Sequence, residues 1–254
     1  MISTQALLDE ASPLIARAGA AFYFTPETIE RAKAMGLDGY RFYFLGRGGV
    51  LGDVEAPVVA SAFGYFESGL LAHMWNTARE KVAPREAGRA HLGCAHDMGR
   101  ARLVGIDGLD AFCDAAAAVV SAAEPAGLAL FAGMLAEPVP DDHRARAMHL
   151  LVVLRELRGS AHLLAVRASG LSPRVAHYLK RPDDFALFGW KEADVPTVGE
   201  GERARMASAE ALTDELVAPA YSVLGDAARA ALIDGLRKIA PALRVERPAP
   251  GTAR

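Results

Sequence analysis

The sequence predicts an all-α protein whose C-terminal half has a winged-helix, helix-turn-helix-like arrangement. Three observations predict it. Apolar residues recur with helical spacing from the first segment onward. Two helix starts are marked by a hydroxyl cap followed by proline, Thr25-Pro26 and Ser172-Pro173. Two long alanine- and leucine-rich stretches close the chain.

In order, Leu7, Leu8, Ala11, Leu14, Ile15 and Ala18 give the stripe of an amphipathic helix that Ser3 or Thr4 can cap. Thr25, Pro26 at N1, Glu27 and the stop at Gly36 predict a helix over about residues 26–35. Residues 39–53 turn aromatic and glycine-rich and are expected to be irregular. A helix over 57–82 opens at Pro57, with Gly64 and Gly69 requiring close packing or a kink. The Gly-, Arg- and His-dense stretch 84–108 reads as a loop plus a short helix. Helices follow at 108–124 and 127–136. Pro138 and Pro140 with Asp141 and Asp142 mark the boundary between an N-terminal half, 1–138, and a C-terminal half, 139–246.

The second half opens on a helix from Asp142 to Arg158 that Gly159 ends. Ser160 caps a short helix through Ala168, the Ser169-Gly170-Leu171 turn follows, and a helix begins at Ser172-Pro173. Residues 185–198 have the length of a two-stranded wing or an irregular loop. Helices over about 199–223 and 226–243 complete the domain, and 247–254 read as a disordered tail. The apolar faces Ala204, Ala207, Ala211, Leu212 and Leu232, Ile233, Leu236, Ile239 predict a dimer or closure over the N-terminal half. No repeat of 20–50 residues is present.

Composition bounds the function. The 254 residues are 52% hydrophobic and 23% charged, and 28 Lys plus Arg against 31 Asp plus Glu leave a formal charge of −3. No global field draws in polyanions, so DNA binding would need a local basic patch. Met1 to Gln5 lack the basic start of a secretory signal, no apolar run reaches a bilayer's width, and the two cysteines, Cys94 and Cys113, read as reduced. The expected compartment is the cytoplasm.

Polar and aromatic residues gather at glycine-marked breaks. The run Gly46-Arg47-Gly48-Gly49 reads as a plain turn or as an anion-holding nest. His73, Trp75 and Asn76 suit a pocket wall, or else Trp75 packs and His73 caps a carbonyl. His91, Cys94 and His96 have no metal-site spacing, and neither a metal nor a cofactor is predicted. Arg158 and His162 flank the Gly159 break, where a helix N-terminus would keep His162 neutral and ready to accept a proton. Arg174, His177, Lys180 and Arg181 give the second helix of the helix-turn-helix a modest basic edge, to meet phosphate or to lie in solvent. Hydrolase elbow, zincin and Rossmann signatures are absent.

Together Tyr23-Phe24-Thr25-Pro26-Glu27, Tyr43-Phe44-Leu45-Gly46-Arg47, Leu51-Gly52, Arg158-Gly159-Ser160-Ala161-His162, Ser169-Gly170-Leu171 and Gly189-Trp190 resemble the actinobacterial SalK-like helix-turn-helix family, whose members sit beside natural-product pathways. The resemblance covers roughly residues 5–243. It implies a winged-helix type of fold with MarR-like long C-terminal helices, and no single activity. Where many members carry an Asn between the aromatics after the Pro-Val-Val segment, this chain has Phe63-Gly64-Tyr65-Phe66-Glu67.

The expected function is therefore a small-molecule-binding protein of specialised metabolism, with enzymatic proton transfer as one form of it. Its pocket lies between the halves, with Arg158 and His162 as catalytic groups and Tyr43, Arg47, His73 and Trp75 as ligand-binding groups. The alternative is a ligand-responsive transcriptional regulator that places residues 172–181 in the major groove. A winged-helix DNA-repair protein is a third, weaker reading.

Overall fold

A computed structural model describes residues 2–243. The described residues form α-helices and short 3₁₀ turns with no strand. The predicted tail at 247–254 lies outside them.

Helix α1 (Thr4–Ala18) is capped by Ser3, whose hydroxyl accepts from the Ala6 N–H, and α2 (Pro26–Ala34) is capped by Thr25. The buried face of α1 is close to the one expected from the apolar spacing, and α2 starts at the expected cap and proline. Helix α3 (Gly39–Gly48) is capped by Asp38 and occupies the stretch expected to be irregular. Helices α4 (Ala56–Phe63) and α5 (Ser68–Arg79) replace the single helix expected over 57–82. Gly64, at a φ of +74°, breaks it, and the Glu67 carboxylate restarts it by accepting from the Gly69 and Leu70 N–H groups.

Helix α6 (Pro84–Arg102) is the largest departure from the sequence reading, because one helix of 19 residues fills most of a stretch expected to be a loop plus a short helix. None of its glycines breaks it, and Gly88 and Gly99, like Gly46 and Gly49 facing it, are contact surfaces. A Cβ on Gly49 would collide with the Pro84 carbonyl, one on Gly46 with the His91 side chain, and one on Gly99 with the Arg144 carbonyl. The glycines on α3 and α6 thus let backbones approach closely, and burial of the two helices outweighs their low intrinsic propensity.

Helices α7 (Leu109–Ala122) and α8 (Ala129–Leu135) lead to α9 (His143–Ala168). The last is one helix of 26 residues and passes straight through Gly159, correcting the expected stop. Leu157, Ala161, Ala165 and Val166 continue its buried stripe, which offsets the roughly 1 kcal/mol that a glycine costs in a helix. Helix α9 is the axis of the molecule: α1, α6, α7, α8 and α11 (Glu200–Ser222) all pack on it. Helix α12 (Asp226–Ala242) closes over α7 and α1, burying Leu232, Ile233, Leu236 and Ile239. On α11 the buried face is Met206, Ala209, Thr213 and Val217, whereas Ala204, Ala207 and Ala211 are exposed, a rotation from the face expected.

A main core draws residues from Leu7 to Leu243. A second, smaller core joins Val166 of α9, Leu171 of the turn, Ala176 of α10 (Pro173–Lys180) and Met206 and Ala209 of α11. The turn and the second helix are therefore formed as expected, with Ser172 capping α10 and Gly170 at a φ of +76°, whereas the first helix, expected to be short and capped by Ser160, is the end of α9. The segment after α10 is the irregular alternative and not a wing. It winds through 3₁₀ turns at Pro182–Asp184, Ala186–Phe188 and Glu192–Asp194. Its aromatic residues anchor it: Phe188 stacks on Phe66 at 4.1 Å, and the Trp190 indole donates to the Tyr65 carbonyl at 2.9 Å.

Candidate functional site: a cavity walled by the helix-turn-helix

Between α1, α3, α9, α10 and the α4–α5 turn lies a cavity of about 440 Å³, within the range of small-molecule sites. Helix periodicity builds its polar wall. Arg155, Arg158 and His162 recur at spacings of three and four on α9 and share a face, and Tyr43 and Arg47 stand one turn apart on α3.

Four of the six residues singled out from the sequence meet here: Tyr43, Arg47, Arg158 and His162. Trp75 and His73 do not. Trp75 is fully buried, its indole N–H donating to the Val54 carbonyl at 3.0 Å, and its ring would touch a Cβ on Gly48. His73 is exposed and lies 3.2 Å from the Arg41 guanidinium. One helical turn beyond a glycine did not place them on a pocket, because α5 presents Trp75 to the core.

Arg47 does not reach out freely to a ligand. Its Nε and Nη2 donate to both carboxylate oxygens of Glu156 at 2.9 and 2.8 Å, and its guanidinium lies 4.4 Å over the Phe63 ring. Arg155 Nη1 donates to the same carboxylate at 2.8 Å, and its guanidinium lies over the Tyr23 ring. Glu156 is wholly buried. Burial alone would raise its pKa, but Arg47 and then Arg155 outweigh burial and pull it down to about 2. Two guanidiniums thus share one carboxylate.

Toward α11 the Arg158 guanidinium donates to Asp214 at 2.9 Å and lies 3.5 Å from Glu210, which also pairs with Lys180. Burial pushes Glu210 up, and Lys180, His162 and Arg158 more than reverse it. His162 stands 3.9 Å from the same carboxylate. The Thr213 hydroxyl donates its one proton to the Ala209 carbonyl at 2.6 Å, so it accepts from His162 Nδ1–H at 2.9 Å. That fixes the tautomer and leaves a lone pair on Nε2. His162 sits deep inside α9, so a helix N-terminus is not what keeps it neutral. Burial lowers its pKa, partly opposed by Glu210.

Sequence reasoning missed Glu156, Arg155, Glu210, Tyr65 and Phe66. A partial signal for Glu156 was present: Arg155 and Glu156 interrupt the apolar stretch Leu150–Leu157, where a buried acid needs a paired cation. Helix α10 carries another surprise. Its basic residues, expected at an edge, divide: His177 is buried 3.9 Å from the Phe188 ring and Arg174 lies over Trp190, whereas Lys180, paired with Glu210, and Arg181 stay exposed.

His91, Cys94 and His96 take separate partners along α6. His91 lies among Phe22, Tyr23 and Phe42, the Cys94 thiol donates to the Ala90 carbonyl, and His96 pairs with His149 at 3.2 Å. Among the described residues no three potential ligands converge as a metal site would require. No single described helix is long and apolar enough to cross a membrane.

An all-α architecture containing a helix-turn-helix whose second helix walls a cavity defines the class. A family model described as a helix-turn-helix family matches residues 9–250, and the chain belongs to that family. No curated protein and no solved structure matches it.

Proposed function

We propose that this protein binds a small organic molecule in the cavity between α3, α9 and α10. One observation carries the reading: the second helix of the helix-turn-helix contributes Ala176, His177 and Lys180 to the cavity wall, so an occupant touches the element after which the family is named. Within the family, the motifs around Tyr43-Arg47 and Arg158-His162 support a SalK-like member that serves specialised metabolism. If chemistry follows binding, His162 Nε2 is the proton acceptor. Native mass spectrometry of the purified protein tests the reading, with a retained or added small molecule at one per chain as the expected result. His162→Gln should then abolish turnover with little change in melting temperature. Failure of every member of a fragment collection of neutral, cationic and anionic compounds to bind would overturn the proposal.

The family match favours a second reading, a ligand-responsive DNA-binding regulator. Helix α10 would then need Lys180 and Arg174 released from Glu210 and Trp190 before meeting phosphate. Gel shifts at 50 and 200 mM salt separate the readings, because phosphate contacts weaken steeply with salt. Tight, salt-sensitive DNA binding that changes on filling the cavity would establish the regulator. Its absence would leave binding alone.

A further inference from the structure

The charges around the cavity do not balance, and the imbalance says what kind of molecule belongs there. At the α10–α11 end Arg158 and Lys180 face Glu210 and Asp214, two cations against two acids, and a third cation there, Arg181, is exposed to solvent. At the α3 end Arg47 and Arg155 have one acid between them, Glu156. The excess positive charge there is largely removed from water: the Arg47 side chain is 11% exposed and that of Arg155 25%. A surplus buried charge is unfavourable unless a counter-charge joins it.

The donors to receive that counter-charge are in place. Arg155 uses only Nη1 toward Glu156, so its Nε–Nη2 edge, the one shaped for a bidentate carboxylate, makes no hydrogen bond among the described residues. Four further polar atoms on residues of the cavity wall are buried without a partner among the described residues: Tyr65 OH, Ser160 Oγ, Arg158 Nε and His177 Nε2. His177 is only 5% exposed. All four are closed off from water, so they belong to the packing behind the wall, and the donor left accessible to an occupant is the Arg155 edge. Between the charged ends the wall is aromatic, formed by Tyr43, Phe63, Tyr65 and Phe66.

We propose that the cavity takes an aromatic carboxylate, with its carboxylate on the free edge of Arg155 beside Arg47 and its ring against Phe63, Tyr65 and Phe66. The inference rests on the small-molecule reading above and adds the ligand's chemical class. A cation is disfavoured by the surplus guanidinium, and an aliphatic acid leaves the aromatic wall unused.

The test is a titration of the intact protein with three probes: 2-naphthoate, 2-naphthamide and cyclohexanecarboxylate. The expected result is that 2-naphthoate binds at least about tenfold more tightly than either of the others, as one charge-assisted hydrogen-bonded pair allows. In Arg155→Gln the preference for acid over amide should vanish while the affinity for 2-naphthamide stays. Far-ultraviolet circular dichroism establishes that the variant is folded, and Arg155→Lys, which keeps the charge without the fork, should retain an intermediate preference. Equal binding of acid and amide by the native protein, or no binding of 2-naphthoate up to millimolar concentration, overturns the inference. If neutral or cationic fragments bind in either case, the small-molecule reading survives its failure. If no fragment of any charge binds, both fall.

Discussion

Lowering the pH from 7 to 5 should weaken the native fold through its buried histidines, and substituting His91 should remove the share that His91 contributes. His91 is 3% exposed, set among Phe22, Tyr23 and Phe42, and its Nε2 has no hydrogen-bond partner among the described residues. Burial, reinforced by nearby Arg47, lowers its pKa from 6.5 to about 3. A histidine with a depressed folded pKa contributes its stability above the unfolded value, and loses it as pH falls from 6.5 toward 3, because the unfolded chain then takes up a proton that the folded one refuses. At pH 5 the drop is about one and a half pH units, which at about 1.4 kcal/mol per unit gives roughly 2 kcal/mol. That is a substantial part of a typical domain's 5–15 kcal/mol. The assay is urea unfolding of native protein and His91→Met at pH 7, 6 and 5, followed by circular dichroism. The methionine keeps the volume and cannot titrate. The stability difference between the two proteins should shift by about 2 kcal/mol in favour of the variant on going to pH 5. Parallel curves would refute the reasoning. Glu156 cannot mimic the effect, because its folded pKa near 2 places its loss of stability below its unfolded value of 4.5.

Three more outcomes are expected. Glu156→Gln leaves two buried guanidiniums without a carboxylate and should cost about 3–5 kcal/mol in denaturant unfolding. Gly49→Ala, where a Cβ meets the Pro84 carbonyl, should cost more than about 1 kcal/mol, whereas Gly159→Ala, with open space around it inside α9, should stabilise by up to about 1 kcal/mol; thermal melts of the pair measure both. Trp75→Phe should lose about 1 kcal/mol through the missing bond to the Val54 carbonyl and leave binding in the cavity unchanged, as read by titration with a cavity ligand.

The sequence displayed helix starts well and glycine roles badly. Thr25-Pro26 and Ser172-Pro173 announce their helices because capping is local chemistry, satisfied within four residues. The glycines of α3, α6 and α9 carry no such local reading. A glycine that breaks a helix, one that admits a neighbouring backbone and one that simply faces solvent are the same letter, and only the packing partner distinguishes Gly64, Gly49 and Gly159. The site was legible in part for the same reason. Arg158 and His162 lie four apart and stayed together once α9 proved continuous, and Tyr43 and Arg47 did likewise on α3. Glu156 and Glu210, which set the charge of those residues, come from 109 and 52 positions away from Arg47 and Arg158, a pairing that no local pattern encodes.

Helix α9 carries the His149 contact with His96, the Glu156 contact with Arg47 and the His162 contact with Thr213 on one unbroken rod. Each added residue turns everything beyond it by about 100°. One insertion between positions 149 and 156 would swing the carboxylate off Arg47 and His162 off Thr213 together. Substitution is thus the only route by which this segment can drift, whereas the turns around Gly105 and Gly108 accept changes of length. An alignment of relatives should therefore place its gaps in those turns and not between 143 and 168, with the reach from one end of α9 to the other acting as a ruler.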